Sequence, residues 1–93
     1  MCIRDSDVTA RLGDVLIELG QFDVAVTAAQ RVLARDPLDE SAHRRIMRAY
    51  GATGQPVLAA RQYRLCAELL ERELQFKPSR ETIELYEDIV QRV

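Results

Sequence analysis

Residues 12–25 read LGDVLIELGQFDVA, and residues 46–59, which lie 34 positions later, read IMRAYGATGQPVLA. Large apolar side chains recur at 12 and 46 and at 16 and 50, glycine recurs at 20 and 54, and alanine recurs at 25 and 59. Each recurrence suits a helical hairpin, because bulky residues fill the space between paired helices, glycine permits a tight reversal, and alanine lets two helix backbones approach closely. The 34-residue period therefore predicts two consecutive helix-turn-helix units.

The apolar spacing is helical from residue 7 onward, and no stretch alternates with period two. It predicts an all-α chain of five helices at about 7–19, at about 22–35, after Asp39, at about 56–74 and after Ser79. Units are predicted at 7–38 and 39–74, with a capping helix within 75–93, and the turn between the third and fourth helices is predicted at 51–56. In the first helix the predicted apolar face consists of Val8, Leu12, Val15, Leu16 and Leu19. In the last four helices the side chains expected to face the core are Ala25, Ala28, Ala29, Val32, Leu33, Ala42, Ile46, Ala49, Tyr50, Ala59, Tyr63, Cys66, Leu70, Leu74, Ile83, Tyr86, Ile89, Val90 and Val93.

Composition narrows the class of protein. The chain has 93 residues and a mass of 10.6 kDa, with 47% apolar and 30% charged residues, which is typical of one small globular domain. The formal net charge of −2 argues against binding to nucleic-acid phosphates, and no apolar run approaches the roughly 20 residues of a membrane helix. Cys2, Cys66 and the single His43 are too few for a disulfide framework or a metal site. We therefore expect a cytoplasmic interaction module, not an enzyme, with no metal and no cofactor.

The 34-residue period resembles the tetratricopeptide repeat. In the first unit Leu12-Gly13, Gly20, Phe22, Ala25 and Pro37 fall where that repeat places its signature residues. The second unit is more degenerate, since positions 47, 56 and 71 hold methionine, proline and glutamate in place of a glycine, an aromatic residue and a closing proline. The resemblance implies a right-handed α-α superhelix of two hairpins and a capping helix.

The last two thirds of the chain resemble a narrower family. Residues 37–50, PLDESAHRRIMRAY, are similar to a block of the bacterial transcriptional activator domain, the repeat-containing module of Streptomyces-antibiotic-regulatory-type activators and related signalling ATPases. Residues 60–64, ARQYR, residues 73–82, ELQFKPSRET, and Leu85-Tyr86 continue the resemblance, which covers about residues 8–92. Gln75 and Arg80 depart from the family, which commonly has glycine and proline there. If the turn is kept, Gln75 is left-handed and costs roughly 1 kcal/mol.

This resemblance implies a protein-interaction and dimerisation module of a bacterial transcriptional regulator. In such activators the module follows a winged-helix DNA-binding domain and contacts other protomers or the transcription machinery. No winged helix is present in this sequence, so direct binding to nucleic acid is not expected. Two alternatives stay open: a regulatory segment of a larger signalling ATPase or nucleotide cyclase, and a stand-alone peptide adaptor.

The first six residues, Met1-Cys2-Ile3-Arg4-Asp5-Ser6, do not join the helical pattern. Codons that encode them match a transposon end used in sequencing-library preparation, so we interpret residues 1–6 as a non-native leader and the chain as a fragment of a longer regulator. The alternative is a natural start with a frayed N-terminus. Neither interpretation gives Cys2 a function.

Charge is unevenly distributed along the chain. Residues 1–39 carry four basic and seven acidic side chains, residues 40–72 carry six and three, and residues 73–93 carry three and five. In tetratricopeptide geometry the first helix of each unit lines a concave groove, and Arg44 and Arg48 lie four positions apart on that helix of the second unit. Two guanidinium groups there would bind a carboxylate or an acidic peptide, with Ile17 of the first unit adding an apolar contact.

Each polar candidate also has a structural interpretation. The arginines at 44, 45 and 48 form a solvated face, or they pair with Asp39, Glu40 or acids of a neighbouring helix. His43 stands where the repeat usually places a large aromatic residue, so we expect a packed, hydrogen-bonded imidazole rather than a ligand or a base. Cys66 stands where a small apolar residue is wanted, which indicates a buried, inert thiol.

The two ends of the predicted stack differ. The helix after Ser79 serves as a cap, whereas the helix at 7–19 has Val15 and Ile17 beside its main apolar stripe and no cap before it. A repeat unit cannot bury its own apolar face. We therefore predict self-association or a docked neighbour, and an exposed apolar patch on the isolated chain.

Overall fold

The computed structural model describes residue 17 and residues 19–91, and within them the chain forms four α-helices and no strand. They are α1 (Phe22–Arg35), α2 (Glu40–Ala52), α3 (Pro56–Leu74) and α4 (Arg80–Gln91). Four of the five predicted helices are thus confirmed. The predicted helix at 7–19, apart from positions 17 and 19, and the proposed leader at 1–6 lie outside the described residues.

The helices begin and end at the residues that local chemistry favours. The Asp39 carboxylate accepts hydrogen bonds from the backbone N–H groups of Ser41 (3.0 Å) and Ala42 (3.3 Å), which confirms it as the N-cap of α2. Pro56 begins α3, where its fixed φ suits a first helical turn and its missing N–H costs nothing. Asp36, which precedes a proline, leaves the helical region at φ −137° and ends α1.

Gly20 and Gly54 occupy equivalent turns, as the 34-residue period predicts. Their φ angles are 78° and 72°, and each N–H donates to a carbonyl three residues earlier, at 3.1 Å to Ile17 and 3.3 Å to Gly51. A Cβ added at either glycine would meet no atom within 4 Å, so the left-handed backbone rather than lack of space requires glycine there.

The alanines of the period also take equivalent places. Ala25 and Ala59 are 1% and 0% exposed, and their N–H groups donate to the carbonyls of Gln21 (3.0 Å) and Gln55 (3.2 Å), the residues that follow the two glycines. The turn and the start of the following helix therefore have corresponding hydrogen bonds in both places.

One end of the predicted turn at 51–56 is wrong. Gly51 and Ala52 continue α2, and the turn proper begins at Thr53, whose hydroxyl donates to the Ala49 carbonyl at 3.0 Å. Gly51 lies against α4, since a Cβ placed on it would come within 3.1 Å of the Ile89 side chain. Its small size therefore serves helix packing rather than chain reversal.

Among the described residues the core contains two adjoining clusters. Between α1 and α2, Ala29, Ala42 and Ile46 are buried, and between α2, α3 and α4, Met47, Ala59 and Ile89 are buried. Tyr50 packs against both clusters and joins them. The rings of Tyr63 on α3 and Tyr86 on α4 stack with centroids 4.1 Å apart, which fixes the last helix against the second hairpin.

Most, but not all, of the predicted core residues are buried or half-buried. Leu19 is 69% exposed, and Leu74 and Val90 are each 42% exposed, so their placement on a buried face is wrong. Leu74 is the last residue of α3, immediately before the chain reverses, and Val90 lies in the last turn of α4 next to the buried Ile89. Val93 lies outside the described residues. No helix in the described part of the chain is long and apolar enough to cross a membrane.

Gln75 ends α3 in the left-handed conformation, at φ 54° and ψ 34°. Its N–H donates to the Glu71 carbonyl at 3.1 Å, and the N–H of Phe76 donates to the Leu70 carbonyl at 3.3 Å. This is the geometry that glycine adopts most easily after a helix. The predicted strain at the position where the family commonly has glycine is therefore present.

Candidate interaction surface

The start of α2 and the start of α4 lie side by side and share one carboxylate. Oε2 of Glu40 accepts hydrogen bonds from the backbone N–H of Ser79 (2.9 Å) and from the Thr82 hydroxyl (2.7 Å). Burial opposes ionisation of Glu40, but these hydrogen bonds and the charge of Arg44 outweigh it, so the pKa of Glu40 lies below 4.5. A carboxylate is also the group that the positive ends of two helices favour.

Arg44 lies against the same carboxylate and does not project freely into a groove. Its Nη1 donates to the Thr82 hydroxyl at 2.9 Å and lies 3.8 Å from the Glu40 carboxylate, and its Nη2 lies 3.4 Å from the Glu81 carboxylate. The Arg44 side chain is 17% exposed and that of Glu81 is 77% exposed. Arg44 therefore pairs with Glu40 and with an acid of a neighbouring helix, as the structural interpretation of the sequence expected.

The other two residues predicted to bind a partner are Arg48 and Ile17. Arg48 is exposed on α2, one turn beyond Arg44, and takes part in further polar interactions of its own. Ile17 is half-buried in the helical turn that leads into Gly20. Arg44 contacts residues 40, 81 and 82, and all three are far from Ile17 along the chain.

Arg45 is buried rather than solvated. It is 2% exposed, and its Nη2 donates to the Ser41 hydroxyl at 2.9 Å. Ser41 is itself tied to the Asp39 carboxylate at 2.7 Å. Of the three arginines at 44, 45 and 48, only Arg48 therefore lies on an exposed face.

His43 is a core residue whose two ring nitrogens both have partners. The residue is 1% exposed, Nε2 donates to the Pro37 carbonyl at 2.8 Å, and Nδ1 accepts from the Gln62 side-chain amide at 2.7 Å. The neutral tautomer protonated on Nε2 satisfies both bonds. Burial lowers the pKa of His43 below 6.5, although the bond to Pro37 and the nearby carboxylates oppose this. The expectation of a packed, hydrogen-bonded imidazole is confirmed.

Cys66 is buried on the inner side of α3. It is 0% exposed, and burial raises the pKa of its thiol to about 11. A thiol at that pKa is almost entirely protonated at neutral pH, and the thiolate is the nucleophilic form. Among the described residues there is also no group of three His, Cys, Asp or Glu side chains that could hold a metal ion.

A shallow groove lies at the C-terminal end of α3, where sequence reasoning placed no site. Its volume is about 570 Å³, and its walls are Ala67, Glu68, Glu71, Arg72, Phe76, Lys77 and Pro78. Phe76 is 63% exposed beside it. The sequence signal for such a surface was available, because Phe76-Lys77-Pro78 places a large apolar side chain in a segment that ends a helix and cannot continue it.

Other large apolar side chains are also exposed along the described helices. Val57 and Leu65 on α3 are 72% and 44% exposed, and Leu19 and Val24 near the first hairpin are 69% and 51% exposed. Leu74, Phe76 and Val90 bring the large apolar side chains that are exposed among the described residues to seven.

Comparison with protein families gives one match: the model of the bacterial transcriptional activator domain aligns with residues 5–90. Neither the curated proteins nor the solved structures contain a significant match to the chain. The family match spans both predicted hairpins and the last helix.

Proposed function

Because the chain belongs to the bacterial transcriptional activator domain family, we propose that it is the protein-interaction and dimerisation module of a bacterial transcriptional regulator. The family is one of transcription regulators and not of enzymes. The module would act by presenting helix faces to protein partners while a separate domain of the regulator reads DNA.

The observation that carries this proposal is the contrast between the polar groups and the apolar surface. The side chains that could bind a ligand or react already have structural roles. Glu40 and Arg44 form hydrogen bonds that hold helices together, and His43 and Cys66 are buried in the core. Val57, Leu65 and Phe76, by contrast, are exposed along α3 and just beyond its end. They offer apolar contact area to a protein partner without any change in the core.

A reporter assay tests whether the chain brings two proteins together. The chain is fused to a monomeric DNA-binding domain that represses its operator only as a dimer, and repression is measured against the same fusion carrying Ile46→Asp, which disrupts the core. We expect the wild-type fusion to repress and the variant fusion to fail. A wild-type fusion that is expressed and folded but does not repress contradicts the dimerisation role.

A second candidate function is an adaptor for acidic peptides that uses Arg44, Arg48 and Ile17. The observation in its favour is that a surface carboxylate, that of Glu81, already lies 3.4 Å from the Arg44 guanidinium, where a carboxylate of a partner would bind. Removing the competitor with Glu81→Gln is then expected to tighten binding of an acidic peptide, and Arg48→Glu to weaken it. Equal binding by all three proteins, measured by fluorescence anisotropy, contradicts the adaptor function.

We also propose that residues 7–93 form one module of a longer cytoplasmic regulator and that residues 1–6 are foreign to it. The gene sequence upstream of codon 7 distinguishes the alternatives. A winged helix there supports the regulator, whereas an ATPase or cyclase domain supports the regulatory segment of a signalling enzyme.

A further inference from the structure

The outer face of α3 carries a regular row of exposed side chains. Val57, Arg61, Arg64, Glu68 and Glu71 follow one another at spacings of four and three, and all five are exposed. At about 100° per residue they lie within an arc of about 80°. This row faces away from the buried stripe of Ala59, Cys66 and Leu70 that packs on the rest of the molecule.

The charges in this row are ordered along the helix and have no ionic partner among the described residues. The two arginines occupy the N-terminal half of α3 and the two glutamates the C-terminal half, with the 44% exposed Leu65 between them. Within the part of the chain that the structure describes, none of these four charged side chains forms an ion pair or a hydrogen bond. They are therefore available to a partner without the loss of an internal contact.

The charges on one copy of α3 face opposite charges on a second copy when the two helices run antiparallel. If two copies of α3 lie antiparallel about a two-fold axis at residue 66, position i of one copy faces position 132 − i of the other. Arg61 then faces Glu71, Arg64 faces Glu68, and each pair occurs twice. Parallel alignment in register would instead place each charge beside its own copy, which is repulsive.

The apolar residues of the same face fit this arrangement. Val57, which is 72% exposed, faces position 75 of the second copy, next to the 63% exposed Phe76 and the groove at the end of α3. Leu65 lies beside the axis, so the two copies of it meet near the centre. In this arrangement the exposed Val57 lies near Phe76 of the other copy, and Leu65 lies near its own copy.

From this we propose that the chain forms a symmetric dimer through the outer face of α3, with a second copy of itself as the occupant of the surface. The inference rests on the proposed function as an association module and names the surface and the partner. The charge pattern favours a second copy as the occupant, because the row complements its own reverse.

A charge-swap experiment on the 93-residue chain tests the dimer. Arg61→Glu with Arg64→Glu makes the row wholly acidic, and Glu68→Arg with Glu71→Arg makes it wholly basic. Sedimentation equilibrium is expected to show that each double variant self-associates at least about tenfold more weakly than the wild-type chain, because four ion pairs become four repulsive contacts. An equimolar mixture of the two variants is expected to recover dimers, as is the single chain that carries all four substitutions.

Two controls keep these results specific. Arg31→Glu with Arg35→Glu changes the net charge by the same amount on the exposed side of α1 and is expected to leave association unchanged. Circular dichroism and thermal unfolding show whether each variant is folded.

Three results overturn the inference: double variants that associate like the wild-type chain, a mixture that does not recover dimers, or a wild-type chain that stays monomeric at every concentration. In the first two cases the wild-type chain still associates, so the proposed function stands and only this surface is wrong. A monomeric wild-type chain together with a fusion that does not repress contradicts the dimerisation role as well.

Discussion

Replacing Gln75 by glycine is expected to stabilise the protein. Gln75 has φ 54° and ψ 34°, and in this left-handed conformation a Cβ atom crowds the following carbonyl oxygen. For a residue other than glycine this lowers the stability of the folded state by about 1–2 kcal/mol. Glycine removes this strain, but it also lowers stability by about 0.5–1 kcal/mol because the unfolded chain gains conformational freedom. The Gln75 side chain is exposed, and its one hydrogen bond, to the Arg72 carbonyl at 3.5 Å, is long and contributes little. The net gain is then about 0.5–1 kcal/mol.

Thermal unfolding and urea titration measure this gain directly. For a chain of this size 1 kcal/mol corresponds to a change in Tm of roughly 4–8 °C, so an increase of a few degrees is expected. Gln30→Gly is the matched control, because Gln30 is exposed within α1 and the same substitution there is expected to cost about 1 kcal/mol. If both variants lose stability to the same extent, the left-handed strain assigned to Gln75 is refuted.

Three further results are expected from the buried polar groups. Thr82→Val keeps the shape of a fully buried side chain but removes the hydroxyl that bonds the neighbouring carboxylate and guanidinium, so it is expected to lower the free energy of unfolding by about 1–3 kcal/mol. Little change is expected for the control Thr27→Val, because Thr27 is exposed and its hydroxyl bonds only the Asp23 carbonyl one turn earlier in α1. Burial holds the pKa of His43 in the folded state below 6.5, so its contribution to stability is complete above about pH 6.5 and is lost as the pH falls through the folded-state value. An NMR titration that gives His43 a pKa of 6.5 or higher contradicts this. In a Cys2→Ser chain at about pH 8 a thiol reagent is expected to modify Cys66 no faster than the helices open, because the thiol is buried with a pKa of about 11, and immediate complete labelling of the folded protein would disprove it.

The sequence predicted the features that depend on neighbours along the chain. The bounds of α3, the cap at Asp39 and the equivalent turns at Gly20 and Gly54 each follow from residues within one or two helical turns, where a proline, a carboxylate or a glycine has a local effect. The strain at Gln75 was predictable for the same reason, once the family pattern indicated a glycine there.

Contacts between distant residues could not be predicted in this way. Arg44 lies 38 positions from Thr82, and nothing in its local sequence distinguishes an arginine that binds the start of another helix from one that lines a groove. Arg45 was expected at the surface because its side chain is charged, yet it is buried. Its guanidinium satisfies part of its hydrogen bonding inside the protein by donating to the Ser41 hydroxyl. The periodicity also placed Leu74 in the core, since period alone does not show where the covering helix ends.

The carboxylate of Glu40 has a consequence for the order in which the molecule comes apart. It belongs to the first residue of α2, yet it holds the amide of Ser79 and the hydroxyl of Thr82 at the beginning of α4. Detaching the last helix would break these polar bonds as well as its apolar contacts. We therefore expect fraying of α4 to be discouraged and its opening to be coupled to that of α2, which a stack of independent hairpins would not require.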